Sequence, residues 1–121
     1  MTYEDKELLL KDLCGRLPYA VKVKYAIPIL LVSVRNDRDG IKVITEGTYG
    51  EHIYNIEDIK PYLRPLSSMT EEEKIDYQAF FNYDGVEYPE EYIDWLNAHH
   101  FDYRDLIEKG LALEAPEGMY K

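Results

Sequence analysis

Two prolines divide this sequence into halves with different periodicity. Pro61 and Pro65 each remove a backbone N–H and favour extended geometry in the preceding residue, so a regular helix cannot pass through them. Before them apolar residues recur in twos, and after them in threes and fours. Within residues 55–70 we expect one helical turn at 56–59 and an extended piece at 62–66. This stretch is the predicted joint between a β half and a helical half.

Length and composition predict one soluble domain over residues 1–121, with a helix and sheet in 1–67 and helices in 68–121. The 121 residues are 45% hydrophobic and 31% charged, which is ordinary for a globular protein with one core. The single cysteine, Cys14, excludes an internal disulfide and favours a cytoplasmic setting. The longest apolar run, Ile27–Val32, is too short to cross a bilayer, and the N-terminus has no signal-peptide pattern, so we expect no membrane association.

The net charge of −10 lies in one half of the chain. Residues 1–55 carry eight acidic and eight basic residues, whereas residues 56–121 carry sixteen acidic and six basic ones. Nucleic-acid surfaces need clustered lysine and arginine, so direct binding to DNA or RNA is not expected. An acidic surface instead suits a protein partner with a basic face.

The first half begins with a pattern typical of a helix over residues 3–14. Thr2 and Asp5 have the spacing of a capping box, and Gly15 suits the left-handed residue at a helix end. The expected apolar face combines residues at helical spacing: Leu9, Leu10, Leu13 and Cys14.

Four strands are then expected at 19–25, 28–35, 41–46 and 51–55, with turns at 36–40 and 47–50. Strict alternation places Tyr19, Val21, Val23 and Tyr25 on one face of the first strand. With the helical turn and the extended piece that follow, this order of elements resembles SH3-like small barrels, a likeness that carries no function. The predicted fold class is α+β: an N-terminal helix, an antiparallel meander curved into a small SH3-like partial barrel, and a C-terminal bundle of about three short helices.

The three predicted helices begin at Thr70, Pro89 and Asp102. The first has a capping box with Glu73, a wide apolar face and an end at Asp84-Gly85; its apolar residues are Ile75, Tyr77, Ala79, Phe80 and Phe81. The second is expected to direct four side chains inward, with Trp95 and Leu96 in the core: Tyr92, Ile93, Trp95 and Leu96. The third would bury Leu106 and Ile107. Leu111–Ala115 is compatible with an extended segment, and whether it joins the sheet is left open.

Candidate catalytic and metal-binding residues are weak. Cys14 lies at a helix C-terminus on a leucine face, where a thiol is a poor nucleophile. His99 and His100, near Asp94 and Asp102, are adjacent on a helix and point about 100° apart, so they cannot both face one ion. We therefore expect one histidine to complete an aromatic face and the other to balance the helix dipole. No phosphate loop, nucleophile elbow or paired-cysteine motif occurs in the sequence, so we expect no cofactor and no enzymatic activity.

Tyrosine provides twelve of the sixteen aromatic residues, and seven tyrosines lie after residue 55 among acidic residues. Tyrosine is enriched in protein interfaces, although it also fills small cores while its hydroxyl reaches water. The predicted partner-binding residues lie in one short stretch: Tyr83, Glu87, Tyr88, Glu90 and Glu91.

Three phrases of the sequence resemble motifs of small uncharacterised proteins encoded in phage, prophage and mobile-element regions of gut bacteria. They are residues 13–19 (LCGRLPY), 59–73 (IKPYLRPLSSMTEEE) and 95–112 (WLNAHHFDYRDLIEKGLA). The resemblance implies a phage-linked setting but assigns no activity to any residue. Residues 21–54 lie outside these phrases.

Two hypotheses follow from the sequence. The first is a small non-catalytic binding or regulatory accessory protein that acts through an acidic, tyrosine-rich surface, with a DNA-mimic inhibitor as a special case. The second is a small enzyme whose site is assembled at the barrel rim from distant residues such as tyrosines, His52 and carboxylates. A flat acidic aromatic face would favour the first, and a deep pocket with convergent polar groups would favour the second.

Overall fold

The computed structural model describes residues 1–25, 27–47 and 50–120. Three α-helices and nine strands occur in these ranges. The helices are α1 (Tyr3–Arg16), α2 (Glu71–Gln78) and α3 (Pro89–Ala98). The strands are β1 (Lys22–Lys24), β2 (Pro28–Asp37), β3 (Gly40–Thr45), β4 (His52–Asn55), β5 (Lys60–Pro65), β6 (Phe81–Asn82), β7 (Gly85–Val86), β8 (Phe101–Asp102) and β9 (Leu113–Glu114). Single 3₁₀ turns follow α1, β4 and β5, at Leu17–Tyr19, Ile56–Asp58 and Leu66–Ser68.

Helix α1 has the predicted capping box between Thr2 and Asp5 and buries Leu9 and Leu13. Two expectations about its end are wrong. The helix continues through Gly15 to Arg16. A Cβ at position 15 would lie 3.2 Å from the side-chain nitrogen of Asn97, so this glycine allows α1 to pass close to α3. The left-handed residue is Ala20, with φ 56°.

Cys14 was expected on the leucine face of α1, but it is exposed. The buried residues of the helix are Leu9, Asp12, Leu13 and Arg16. The inner face of α1 therefore combines two leucines with a buried ion pair. An arginine paired with an aspartate one turn earlier takes the place that the sequence pattern predicted for the cysteine.

Strands β1 to β4 form the predicted antiparallel meander. The first strand is shorter than expected, because the 3₁₀ turn takes up Leu17–Tyr19. Val21 and Val23 are buried as the alternation predicted, but Tyr25 is 55% exposed. The predicted turn at 47–50 lies partly outside the described residues.

The other side of the sheet is built on β5. This strand pairs antiparallel with β1 through Pro61 and parallel with β9 and β8 through Tyr62 and Arg64. The segment over 111–115 therefore does join the sheet. The strand order is β4-β3-β2-β1-β5-β8, with β9 also on β5, and no described pairing joins β4 to the far side. The α+β class is confirmed, but the sheet is open and a closed barrel is not confirmed.

The helical half differs from the predicted bundle. Helix α2 has its capping box between Thr70 and Glu73 but ends at Gln78, and a hairpin of β6 and β7 follows. The turn of this hairpin is Tyr83-Asp84 and Gly85 begins β7, so Asp84-Gly85 is not the end of a helix. Asp102 accepts hydrogen bonds from the backbone N–H groups of Leu106 and Ile107, as a cap would, but only turns follow it. A three-helix bundle is therefore not confirmed.

The core lies between α1, the sheet and the turns after β8. It contains Leu63, Leu106 and Leu111 beside the leucines of α1 and the valines of β1 and β3. Leu96 is fully buried, as predicted, but Trp95 is only half-buried and Ile93 is 37% exposed. Among the described residues, no helix combines the length and apolarity needed to span a bilayer.

Candidate functional site

Residues 71–95, which we call the acidic arm, comprise α2, the β6–β7 hairpin and most of α3. They carry nine acidic residues and one lysine, and so most of the net charge of the protein. All of residues 66–95 are described, and none of these thirty residues is buried. Regular secondary structure normally buries one face, whereas every residue of this arm keeps part of its surface exposed.

The arm is held together by its own aromatic cluster, formed by Tyr77, Phe80, Phe81, Tyr92 and Trp95. Their ring centroids lie 5.0–6.2 Å apart in tilted and edge-to-face arrangements. Burial raises the pKa of Tyr92 to about 12. The cluster packs α2 and the hairpin against α3, and Trp95 continues it to Phe101 of β8 at 5.6 Å.

The five predicted interface residues all lie on exposed positions of this arm. Tyr83 is at the hairpin turn and fully exposed, and Tyr88 is 64% exposed with a left-handed φ of 55°. Glu87 follows the hairpin, and its backbone N–H donates to the carbonyl of Phe80 at 2.7 Å. Glu90 and Glu91 occupy the first turn of α3, where the helix dipole favours negative charge.

Apolar side chains stand among these acids, and the sequence pattern placed three of them wrongly. Ile75, Phe81 and Ile93 were expected to face inward but are exposed by 68%, 42% and 37%. Val86 is exposed beside them in β7. The acidic arm therefore offers aliphatic and aromatic area within a field of carboxylates.

A second feature is a cleft of ≈ 570 Å³ between the end of β5, the start of α2, the end of α3 and the C-terminal segment. Its polar lining includes Arg64, Glu73, His99, His100 and Tyr120. This volume lies within the range of small-molecule sites in proteins. The sequence predicted no such cleft.

Arg64 and Glu73 form a two-pronged ion pair in the cleft, with N–O distances of 2.8 and 2.7 Å. The hydrogen bonds from Arg64 are the main reason why the pKa of Glu73 falls to about 2, so this carboxylate is ionised. The guanidinium lies 4.3 Å from the centroid of the Phe101 ring. Nδ1 of His99 lies 3.1 Å from Glu73, and since an ionised carboxylate only accepts, this nitrogen carries the proton.

His100 has a left-handed backbone, with φ 63°, and is 8% exposed. Its ring stacks on Tyr120, with centroids 3.6 Å apart. Burial, together with the charges of Arg16, Arg64 and Lys22, lowers the pKa of His100 to about 4, so the ring is neutral near pH 7. Its Nδ1 is buried, and no described group hydrogen-bonds to it.

Tyr120 anchors the C-terminal segment between two strands. Its hydroxyl accepts from the backbone N–H of Lys22 at 2.9 Å and donates to the carbonyl of Tyr62 at 2.7 Å. The phenol thus bridges β1 and β5 just past their last paired residues. Burial raises the pKa of Tyr120 to about 12.

The sequence predicted that one of His99 and His100 completes an aromatic face and that the other balances a helix dipole. His99 stacks on Trp95 at 4.5 Å, in line with a histidine that completes an aromatic face. His100 does not balance a helix dipole, because it is neutral. Within the described part of the chain, no three histidine, cysteine or carboxylate side chains converge on a metal-sized point. His52 lies on β4 and does not line the cleft.

The residues of the cleft could not have been assembled from the sequence. Glu73 and His99 are 26 positions apart, and Lys22 and Tyr120 are 98 apart. No short motif joins either pair. No family model matches this chain, and searches of curated proteins and of solved structures likewise return no significant match.

Proposed function

We propose that this protein is a small non-catalytic binding or regulatory protein whose acidic arm docks on a basic protein surface. The observation that carries the proposal is the run of thirty residues, 66–95, which contains α2, the hairpin and the first seven residues of α3 yet buries none of its members; the buried residues of α3, Leu96 and Asn97, follow this run. Folding such a segment gains little from the core of the protein itself. Contact with a partner supplies the missing burial.

The chemistry of the arm selects the partner. Nine acidic residues and one lysine repel a phosphate backbone and attract lysine- and arginine-rich surfaces. Exposed aromatic residues such as Tyr83, Tyr88 and Phe81 supply contact area with few rotatable bonds. A partner with basic residues around an apolar patch matches both features.

The resemblance to proteins of phage, prophage and mobile-element regions supports a setting in which the arm acts on a host or phage protein in the cytoplasm. If the partner itself binds DNA or RNA, the row of carboxylates would take the place of phosphates in its groove. A partial barrel of the SH3-like kind is a further proposal, supported by β1, which pairs with both β2 and β5.

The alternative is a small enzyme with a site built from residues distant in sequence. The cleft is where the described residues would support such a site, since Glu73 orients His99 there. Three side chains of its lining carry a hydroxyl, and each has a role within the fold: Ser68 donates to the carbonyl of Pro65, Tyr120 donates to that of Tyr62, and Thr70 accepts from the backbone N–H of Glu73 as the cap of α2. This engagement favours the binding protein over the enzyme.

The test is capture of partners from host lysate, followed by kinetics on the captured partner. A variant with Glu87→Lys, Glu90→Lys and Glu91→Lys is expected to slow association by about tenfold at low salt, since exposed charges act mainly on the encounter rate. Higher salt should reduce the difference.

The matched control reverses two exposed acids of α1, Glu4→Lys and Glu7→Lys, which lie outside the arm. It is expected to leave association within about twofold of wild type. A partner that binds with unchanged rates to the arm variant, or that responds equally to the α1 variant, would show that the acids serve only solubility.

A further inference from the structure

The antiparallel sheet contains two pairs of like-charged residues that lie directly opposite each other on neighbouring strands. Lys24 of β1 is opposite Lys60 of β5, and Arg35 of β2 is opposite Lys42 of β3. Directly opposed side chains have their Cβ atoms about 5 Å apart, where like charges destabilise a sheet. Each pair therefore needs an anionic or polar neighbour to offset the repulsion.

The two pairs differ in how their charges are compensated. In the β2–β3 pair, the arginine donates to Asp37 at 2.8 Å and the lysine donates to the side-chain oxygen of Asn55. In the β1–β5 pair, both lysines are exposed, and no carboxylate of residues 1–25, 27–47 and 50–120 forms an ion pair with either of them. This exposed and uncompensated pair is suited to carboxylates of another molecule.

The β1–β5 pair belongs to a larger surface on the side of the sheet opposite the core. Val23 is fully buried in the core, so alternation directs its neighbours Lys22 and Lys24 to the opposite face. Cross-strand pairing places Leu30 beside Lys22 and Pro28 beside Lys24 on this face. We call this surface the lysine face, and it comprises Lys22, Lys24, Pro28, Leu30 and Lys60.

The lysine face has the chemistry that the acidic arm requires of a partner, which is basic residues beside apolar ones. The arm, with nine acids and one lysine, carries −8 of the net charge of −10, and the rest of the chain carries −2. An arm can therefore approach the lysine face of another copy without strong repulsion from the rest of that copy, whereas two arms repel each other. The arm also exposes Ile75, Val86 and Ile93, which can cover Pro28 and Leu30.

We propose that this protein binds a second copy of itself, with the acidic arm of one copy on the lysine face of the next. The inference rests on the docking role proposed for the arm and names its partner. Because the two surfaces are different, the contact is head-to-tail, and it either closes into a ring or continues as a chain of copies.

Sedimentation equilibrium of the intact protein measures the self-association. The average mass is expected to rise above the monomer value of 14.3 kDa as the concentration increases. A protein that stays monomeric up to about 1 mM, where binding is already very weak, would overturn the inference. If that monomer still captures a foreign partner through its arm, the proposed function stands and only the identity of the partner is wrong.

Reversing the uncompensated pair tests the lysine face. Lys24→Glu with Lys60→Glu should weaken self-association by at least about tenfold, because the face would then repel the arm. The matched control, Lys11→Glu with Arg38→Glu, makes the same change in net charge at two exposed positions outside the lysine face. It should weaken association by less than about threefold. Equal effects of the two variants would overturn the inference.

Mixing two variants tests which surfaces meet. The arm variant (Glu87→Lys, Glu90→Lys and Glu91→Lys) should also associate at least about tenfold more weakly alone. In an equimolar mixture with the lysine-face variant, an intact arm meets an intact lysine face, so association should return. A mixture that stays dissociated would overturn the inference. Association that depends on the lysine face but not on the arm would contradict the proposed role of the arm as well.

A measurement on the wild type makes the test independent of how the variants fold. A carbodiimide joins lysine amines to carboxylates in contact with them, and a mixture of ¹⁴N- and ¹⁵N-labelled protein identifies the links formed between copies. Links between copies should join Lys22, Lys24 or Lys60 to carboxylates of residues 71–95. Links that form only within one copy, or that avoid the lysine face, would contradict the head-to-tail contact.

Discussion

The acidic arm and the rest of the described chain, which we call the body, use charge in opposite ways. In the body, Asp12 and Arg16 are fully buried and paired at 2.7 Å, and Arg104 donates to the same aspartate at 2.8 Å. In the arm, acids outnumber bases nine to one, and none is buried. Every buried residue of the described chain lies within 1–63 or 96–112.

The difference indicates that the buried core belongs to the body, and it fits the recognition role that we propose for the arm. Helix α3 runs from the arm into the body, and side chains of the arm add contacts across the boundary. Glu73 reaches Arg64 and His99, and Trp95 stacks near Phe101. An exposed acid of the arm can therefore be changed at little cost to folding, whereas a buried acid of the body cannot.

The largest effect is expected at Asp12. Asp12→Ala leaves the guanidinium of Arg16 in the core without its carboxylate and should lower the free energy of unfolding by about 3–5 kcal/mol. The same change in the arm, Asp76→Ala, removes an exposed carboxylate of α2 and should alter it by less than about 0.5 kcal/mol. Urea unfolding followed by circular dichroism measures both.

Comparable losses in the two variants would show that the arm is as strongly coupled to the core as α1. A loss below about 1 kcal/mol for Asp12→Ala would mean that Arg16 is compensated by another group, such as the carbonyl of Phe101, to which it donates at 2.7 Å.

The second prediction is that the body and the arm lose stability over different ranges of pH. In the body, folding lowers the pKa of His100 from 6.5 to about 4, so the unfolded chain binds a proton that the folded one excludes, and stability falls as the pH drops from 6.5 to 4. The loss should reach about 2–3 kcal/mol. The groups that act on this ring are Arg16, Arg64, His99 and Lys22, with Tyr120 stacked on its face.

In the arm, folding lowers the pKa of Glu73 from 4.5 to about 2, so its contribution is present above pH 4.5 and is lost toward pH 2. Because solvent screens this pair, about 1–2 kcal/mol is expected. Asparagine tolerates the left-handed backbone, so His100→Asn should remove the loss of stability between pH 6.5 and 4 alone. Glu73→Gln should remove only the loss between pH 4.5 and 2. Unfolding titrations at several pH values would contradict the assignment if either variant removed the loss of stability in the other pH range.

The local signals of the sequence predicted the local structure well. The capping boxes at Thr2 and Thr70, the meander and the helix that starts at Pro89 are confirmed. These depend on contacts within a few residues, which periodicity and capping patterns report directly. The exposed positions of the five residues proposed for the interface were also expected from their position among acids and turns.

The failures share a physical cause, which is that burial depends on contacts made far along the chain. Asp12 meets Arg104 across 92 positions, and the pattern of leucines alone could not show that polar residues share the inner face of α1. One failure was avoidable: Asp84-Gly85 is a strong hairpin signal, and it was interpreted as the end of a helix because the apolar residues before it suggested a longer α2.

The smallest effect is expected at Tyr88, where the arm holds a bulky residue in a left-handed conformation. Its ring is 64% exposed, and as the residue before α3 it forms no side-chain cap, so little packing offsets the strain. Tyr88→Gly relieves this strain and, after the entropy that glycine adds to the unfolded chain, should raise the free energy of unfolding by about 0.5–1 kcal/mol. Tyr83→Gly, at a fully exposed position without a positive φ, should not stabilise the protein.

If Tyr88 is a recognition residue, the more stable variant will bind the captured partner more weakly, since strain at an exposed aromatic residue is then part of the binding site. A destabilised Tyr88→Gly protein would instead assign the ring to the packing of the arm and remove it from the proposed interface.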